Sequence, residues 1–430
     1  MEPNALVDYV KSLDCIHCGL CLRTCPTYQL TGAEPSSPRG RIYLMRAVAE
    51  NKLDASDPHY REELDFCLVC RHCESVCPAG VRFGEMMETA RAGANRAAPR
   101  GALERLARWF GFGVVLPSRF WLSLSISALR LAQRTGLMRL AATFAGARKE
   151  ALLSMPTAPP ASERRALPER TPARGAQRGE VALLEGCVMP ELFGRVNRAS
   201  AAVLAEIGYS CRTAKDHVCC GALHAHNGEL EGARALARTT IESYERLGDA
   251  PIVVNSAGCG AHMRAYATLL EDDSAWRERS KRFSARVVDF SEFVAAQAPA
   301  DWRPRAAPEL GKLTYDDPCH LCHGQQIRSQ PRTLLERVSG AQCVELANAE
   351  SCCGSAGIYS LLRPRDSQAV FEPKARAFVA SGADTLVTAN PGCHLQWESG
   401  LARLGVKARV VHIAEVLAPR ESDAPSGGVR

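Results

Sequence analysis

Apolar and polar positions follow three different rhythms along this chain. Between Gly101 and about Leu153 the runs L-E-R-L-A-R-W-F, F-W-L-S-L-S-I-S-A-L-R-L-A and M-R-L-A-A-T-F place apolar residues at helical spacing with arginines between them, which predicts two or three amphipathic helices. From about 181 to 417, short β-branched runs lead into helical patterns such as A-S-A-A-V-L-A-E-I-G and L-E-G-A-R-A-L-A-R-T-T-I-E-S-Y-E-R-L. Strands alternating with helices of this length predict α/β units with a largely parallel sheet. The stretch from Met155 to Glu180 has neither period, and its Pro- and Arg-rich composition reads as a linker. The tail after Ala418 reads as disordered.

The α/β stretch repeats itself. In the first copy V-A-L-L-E-G-C ends at Cys187, V-C-C-G holds Cys219 and Cys220, and I-V-V-N-S-A-G-C ends at Cys259. In the second, L-T-Y-D-D-P-C ends at Cys319, S-C-C-G holds Cys352 and Cys353, and L-V-T-A-N-P-G-C ends at Cys393. Cys319 follows Cys187 by 132 positions, Cys352 follows Cys219 by 133, and Cys393 follows Cys259 by 134, a register that chance does not produce. Cys187, Cys259, Cys319 and Cys393 each fall at a predicted strand end, where ligands of open α/β sheets collect. Two equivalent sites are therefore expected.

Composition changes the picture through cysteine. The 430 residues include 19 cysteines in tight groups separated by long cysteine-poor stretches, unlike the framework of a small disulfide-bonded domain, so metal ligation in a reducing compartment is the better reading. The amino terminus lacks a basic segment followed by an apolar one, which predicts no signal peptide and a cytoplasmic chain. The most apolar region, Phe110 to Leu129, is interrupted by Pro117 and Arg119, so no transmembrane helix is expected and any membrane link would be peripheral or through a partner. A net charge of +6 is modest for this length and gives no reason to expect nucleic acid. Arg148, Lys149, Arg164, Arg165, Arg170, Arg174 and Arg178 make the middle basic, and a solvated linker is the plain reading of them.

The first hundred residues carry the most specific motifs. Cys15, Cys18, Cys21 and Cys25 lie in C-I-H-C-G-L-C-L-R-T-C-P, and Cys67, Cys70, Cys73 and Cys77 in C-L-V-C-R-H-C-E-S-V-C-P. Both have the spacing C-x2-C-x2-C-x3-C-P, in which three close thiolates wrap one 4Fe-4S cube and the fourth cysteine reaches the other. Cys15, Cys18, Cys21 and Cys77 are thus expected to hold one cluster, and Cys25, Cys67, Cys70 and Cys73 the second. Zinc also uses C-x2-C, but the third cysteine of each triple would be surplus to a zinc site. Gly19 leaves room beside the cube, and Pro26 and Pro78 fix the turn after the fourth ligand. Two such cubes form a short wire for electrons. No G-x-G-x-x-G follows a predicted strand, so the electron donor is expected on another subunit.

With these parts in this order the chain resembles the iron-sulfur subunit of bacterial glycolate oxidase. The resemblance runs from about residue 10 to 415 and is carried by C-P-T-Y-Q-L (25–30), P-R-G-R-I-Y-L (38–44), C-P-A-G-V-R-F (77–83), L-E-G-C (184–187), S-A-G-C-G-A (256–261), C-C-G-S-A-G-I-Y (352–359) and T-A-N-P-G-C (388–393). It implies a complex in which flavin subunits oxidise glycolate to glyoxylate and this subunit carries electrons towards membrane quinone, directly or through a partner. The same wire would also suit a lactate or glycerol-3-phosphate dehydrogenase, or a heterodisulfide reductase-like complex. The duplicated part is similar to the cysteine-rich CCG domain, whose fuller pattern ends in C-x-x-C and can hold a noncubane cluster. Here Cys259 is followed by His262 and Cys393 by Gln396, so a fifth thiolate is missing from each copy. Cys187, Cys219, Cys220 and Cys259, and likewise Cys319, Cys352, Cys353 and Cys393, are either ligands of further iron-sulfur clusters or a reduced cysteine set that shapes a docking surface.

The expected architecture is multidomain α+β. It comprises a helical bis-4Fe-4S ferredoxin-like domain (1–100), a helical connector (101–153), a linker (154–180), two CCG repeats (181–300 and 311–417) and a tail (418–430). Arg39 and Arg41 beside Gly40 are candidates for balancing cluster charge, or ordinary helix-start arginines. His320, His323 and His394 flank repeat cysteines and read as satisfied polar residues. Cys211 and Cys343 read as packing residues, and Cys322 as an outside ligand candidate.

Overall fold

The structure, a computed structural model, describes residues 6–419 apart from 99, 147, 148, 150, 151, 153, 154 and 306. Arg148 and nearly all of the expected tail lie outside the described residues. The first hundred positions fold as short helices joined by the cysteine loops. Helix α1 (Pro26–Thr31) and helix α2 (Pro38–Ala49) both open on proline, which is preset for a first turn, and the Ser37 hydroxyl caps α2 by accepting from Gly40 N at 3.0 Å. Asp57 caps α3 (Pro58–Phe66) in the same way, and α4 is Phe83–Ala97. Ile42, Met45, Tyr60, Leu64, Met86, Met87 and Ala90 from these helices form one small core.

Residues 102–144 form the connector. Helix α5 (Ala102–Arg108) runs into wide π-helical turns over Trp109–Val115, and α6 (Arg119–Arg134) and α7 (Leu137–Phe144) follow. The segment read as a linker is more ordered than its composition suggests. Ala158 and Leu167 are buried, and Arg170–Thr171 forms a strand, β1, which pairs antiparallel with β3 (Tyr209–Arg212). The physical reason is the open edge of β3, whose backbone groups this short strand satisfies.

The repeat appears as two sheets of the same topology. In the first, β3, β2 (Gly179–Leu183), β4 (Ile252–Val254) and β5 (Val287–Asp289) lie side by side and parallel, with β1 outside β3. In the second, β7 (Gln342–Val344), β6 (Lys312–Tyr315), β8 (Thr385–Thr388) and β9 (Arg409–His412) lie in the corresponding order. Val181, Leu183, Ile252, Val253, Leu313, Leu386 and Val387 are all inaccessible, as strands covered on both faces require. The strand order reverses between β2 and β4 and again between β6 and β8, and the crevice beyond such a switch is where these sheets bind ligands.

The two repeats share one core, in which Val196, Val253 and Phe290 of the first meet Leu313, Leu334 and Ile413 of the second. The N-terminal unit packs against both. Arg91 Nη1 donates to His226 O at 2.5 Å, His226 Nδ1 and Glu88 Oε1 are 2.7 Å apart, and Arg363 Nη2 donates to Glu62 Oε1 at 2.6 Å. Cys211 is buried in β3, as expected of a packing residue. Cys343 is not: it lies exposed on β7, the outermost strand of its sheet.

Candidate metal centres

Two cavities in the N-terminal unit are walled by cysteine. Cys15, Cys18 and Cys21 line one, of about 310 Å³ with its mouth, and the fourth thiol on its wall is Cys77 from the second motif. Cys67, Cys70 and Cys73 line the other, of about 320 Å³, together with Cys25 from the first motif. The loops are built alike. His17 and Val69, each just before a second cysteine, have φ of 53° and 52°, and Gly19 and Arg71, just after it, have 84° and 63°. Val69 in that region is a costly conformation for a β-branched residue, held by the surrounding structure. A side chain at Gly19 would meet Arg39 Nη1 at 2.7 Å, so the room this glycine leaves is taken by an arginine.

The two cavities differ in depth. Cys18 is exposed and Cys15, Cys21 and Cys77 are half-buried, whereas Cys25, Cys67, Cys70 and Cys73 are buried. Each cavity has one arginine from α2 on its wall, Arg39 at the outer and Arg41 at the inner; the inner wall also carries Arg71, which pairs with Glu74, and neither wall carries a carboxylate. Arg39 Nη1 donates to His17 O at 3.1 Å and is tied to Glu34. Arg41 is fully buried and donates to Ser36 O at 2.8 Å, Thr27 Oγ1 at 3.0 Å and Glu63 O at 2.7 Å, with Glu63 Oε2 at 3.3 Å. Burial pushes the Cys21 thiol up to about 11 and raises Cys25 and Cys73, the latter strongly. Such thiols stay protonated unless a soft cation draws the proton off. Among the described residues no three His, Cys, Asp or Glu converge as they would around a single ion. Four sulfurs spread round a void with a fixed positive charge beside it fit an anionic 4Fe-4S cube better than zinc.

The repeat cysteines gather at the predicted crevices. Cys187 follows β2 and Cys259 lies in α8 (Ala257–Arg264) after β4, while Cys319 follows β6 and Cys393 lies in α9 (Pro391–Arg403) after β8. In each copy the four thiols form a chain of neighbours, Cys187 to Cys219 to Cys220 to Cys259 and Cys319 to Cys352 to Cys353 to Cys393. The turn between is the same in both: Gly221 and Gly354 have φ of 87° and 85°, and their N–H groups point to Cys219 Sγ at 3.5 Å and Cys352 Sγ at 3.4 Å. Hydrogen bonds from Cys187 and Cys220 hold Cys219 well below the usual thiol range, and those from Cys352 and Cys393 do the same for Cys353. Behind the second set lies a buried cation, Lys374, which pairs with the buried Asp316 and donates to Ala349 O at 2.7 Å and Ser351 O at 2.6 Å.

Sequence reasoning missed one contact. Cys70, on the inner cavity, meets Cys352 of the second repeat in a cluster that includes Phe66, Leu68 and Tyr359. No spacing rule could signal a meeting of residues so far apart in the chain. Around it, His320 donates from Nε2 to Val69 O at 2.9 Å, and His323 lies 2.9 Å from Ser75 Oγ, 2.8 Å from Glu350 O and stacked on His72 at 4.0 Å. His394 faces Glu398 at 3.2 Å. Cys322 is buried, and its thiol reaches the Cys319 and Asp317 carbonyls rather than the other thiols. His262 and Gln396, where the fuller pattern has cysteine, are buried and keep a side-chain nitrogen without a hydrogen-bond partner.

The 4Fe-4S dicluster domain family matches residues 11–81, and the cysteine-rich CCG domain family matches residues 181–264 and again 313–398. The chain is 36% identical to the probable glycolate oxidase iron-sulfur subunit of Bacillus subtilis, over 97% of this chain and 95% of that protein. It is 32% identical to the glycolate oxidase iron-sulfur subunit of Escherichia coli, over 94% and 92%. Lactate utilization protein A of an Exiguobacterium is 31% identical over 55% of this chain and 96% of its own length.

Proposed function

The chain belongs to the family of glycolate oxidase iron-sulfur subunits, and from that premise we propose that it is the electron-transfer subunit of a complex that oxidises glycolate to glyoxylate. In this reading the flavin chemistry resides on partner subunits, and electrons leave towards membrane quinone. The observation that carries it is the pair of cysteine-walled cavities, one at the surface and one inside, with the inner one touching the second repeat. Cys15, Cys18, Cys21 and Cys77 hold the outer 4Fe-4S cluster, and Cys25, Cys67, Cys70 and Cys73 the inner. Each cluster, when bound, takes up and gives back one electron.

The chain's own residues give that wire a direction. The exposed Cys18 edge, beside the exposed Ile16 and Leu20, is where a reduced partner comes close enough to donate. Arg39 and Arg41 favour the added negative charge, Arg41 more strongly because it is buried. Cys70 against Cys352 carries the path into the second repeat, whose thiols are proposed to bind a further cluster with Lys374 as countercharge. The proposed units are residues 1–100, the connector 101–153 and the repeats 181–300 and 311–417.

The test is reconstitution of the loaded chain with the glycolate flavin subunits. Glycolate should then reduce a quinone analogue, and Cys70→Ser should abolish that while the flavin subunits still reduce an artificial dye. Quinone reduction that proceeds without this chain would refute the assignment. A second reading, a lactate-oxidising complex, is favoured by the Lactate utilization protein A relatives. It requires cluster reduction by lactate with its own flavoprotein and none by glycolate.

A further inference from the structure

Twenty-one large apolar side chains are exposed among the described residues, and eleven of them lie between positions 103 and 144. A tenth of the chain thus carries half of its exposed large apolar groups, a density that marks an interaction surface. The groups are ordered. Leu103, Leu106 and Phe110 recur at helical spacing on α5 and its continuation, Phe120, Leu124 and Leu131 do so on α6, and Leu137, Leu140 and Phe144 on α7. All three stripes face solvent, while Phe112, Leu122 and Ala142 face the protein.

The charges of the same segment are one-sided. Residues 102–144 contain six arginines and a single acidic residue, Glu104. Arg108 is tied to Glu229, Arg119 to Glu185, and Arg130 donates to Ala158 O at 2.7 Å, all on the protein-facing side. Arg105, Arg134 and Arg139 are exposed beside the apolar stripes. Among the described residues no single helix is long and apolar enough to cross a membrane, and α5 with its continuation meets α6 at 116° rather than extending it. Short amphipathic helices with aromatic residues on the apolar face and arginines beside it are the composition of elements that lie in the interface of an anionic bilayer.

We propose that α5–α7 form the surface by which this chain lies on an anionic membrane, with Trp109, Phe110, Phe120 and Phe144 seated among the lipid headgroups and Arg105, Arg134 and Arg139 against lipid phosphate. The inference rests on the reading that electrons leave towards membrane quinone, and it says which face does the docking. A protein partner covering these helices is disfavoured by Arg105, Arg134 and Arg139, which have no ion-pair partner among the described residues. The exposed Val10, Leu13, Ile16 and Leu20 beside the outer cavity form a separate apolar surface that is free for the electron donor.

The experiment is flotation of the cluster-loaded full chain with vesicles of phosphatidylcholine alone or mixed with phosphatidylglycerol. The chain should float with the mixed vesicles, at least tenfold better than with the neutral ones, and less as salt is raised. Trp109→Ser/Phe120→Ser/Phe144→Ser should lower the affinity at least tenfold with iron content unchanged. Arg105→Gln/Arg134→Gln/Arg139→Gln should abolish the preference for the anionic lipid, and it stands as the test if the aromatic variant fails to fold. No flotation of the native chain, or undiminished flotation of the variants, overturns the proposal. Loss of flavin-subunit binding in the aromatic variant, with flotation intact, overturns it in favour of a subunit interface. Glycolate-driven cluster reduction, measured without vesicles, reports separately on the functional reading.

Discussion

Arg41→Gln removes the one fixed positive charge on the wall of the inner cavity that is fully buried. Taking about 6 Å from the guanidinium to the centre of a bound cluster and an effective dielectric constant of about 20, that charge favours an added electron by about 3 kcal/mol. A tenfold change, about 1.4 kcal/mol, is about 59 mV for one electron, so the full effect is about 120 mV. Glu63, a fifth exposed, can turn outward once its partner is lost, and solvent screens part of the rest. The expected outcome is therefore a fall of about 50–100 mV in the midpoint potential of the inner cluster alone. Arg41→Lys keeps the charge but loses donors to Ser36 O, Thr27 Oγ1 and Glu63 O, so it should lower stability with little change in potential. Arg39→Gln should move the outer cluster by less, because that side chain is 28% exposed. The assay is a redox titration followed by electron paramagnetic resonance. An unchanged potential in Arg41→Gln, or an equal shift of both clusters, would refute the pairing of Arg41 with the inner cluster and Arg39 with the outer.

Further predictions concern the repeats. Lys374→Met leaves the buried Asp316 carboxylate without its partner and should cost about 3–5 kcal/mol, seen as a lower unfolding midpoint, with much of the loss recovered in Lys374→Met/Asp316→Asn. Gly354→Ala puts a Cβ into the Ser367 carbonyl at a φ that side chains avoid, and should destabilise by about 2–4 kcal/mol. Gly221→Ala, whose nearest backbone contact would be 3.2 Å, should be the milder of the pair in the same melt. His412 donates from Nε2 to Asn255 O at 3.0 Å and accepts at Nδ1 from Ala414 N at 3.1 Å, and burial pushes it down to about 3. The unfolded chain then binds the extra proton between about 3 and 6.5, so this contribution is complete above about pH 6.5 and lost as pH falls, by about 1.4 kcal/mol per unit. Urea unfolding across that window should show the slope, shallower by about one proton in His412→Asn.

What could be read from sequence was local. The spacing of eight cysteines and the alternation of strand and helix both lie within short windows, and the structure lines one cavity with the first triple and Cys77 and the other with the second triple and Cys25. The positions of Cys187, Cys259, Cys319 and Cys393 at strand ends were legible for the same reason. Periodicity also found the connector helices, but a stripe in a sequence does not say which side faces water, and here the apolar side does. Nothing local marks Lys374 as buried, because its partner Asp316 lies 58 positions earlier. The meeting of Cys70 with Cys352, and of Glu88 with His226, depends on how whole units pack. The pairing of Arg170–Thr171 with β3 answers an exposed edge rather than any strand-forming composition of its own.

Under the proposed function this chain accepts electrons from glycolate through two clusters held by crossed cysteine sets. The decisive measurement is electron paramagnetic resonance of the anaerobic complex frozen after glycolate addition. The reduced 4Fe-4S signals should be broadened by coupling between two neighbouring clusters, with Cys77→Ser changing the outer and Cys25→Ser the inner. Flavins reduced by glycolate while the chain stays silent, or each substitution perturbing the cluster of its own motif's triple, would contradict that function.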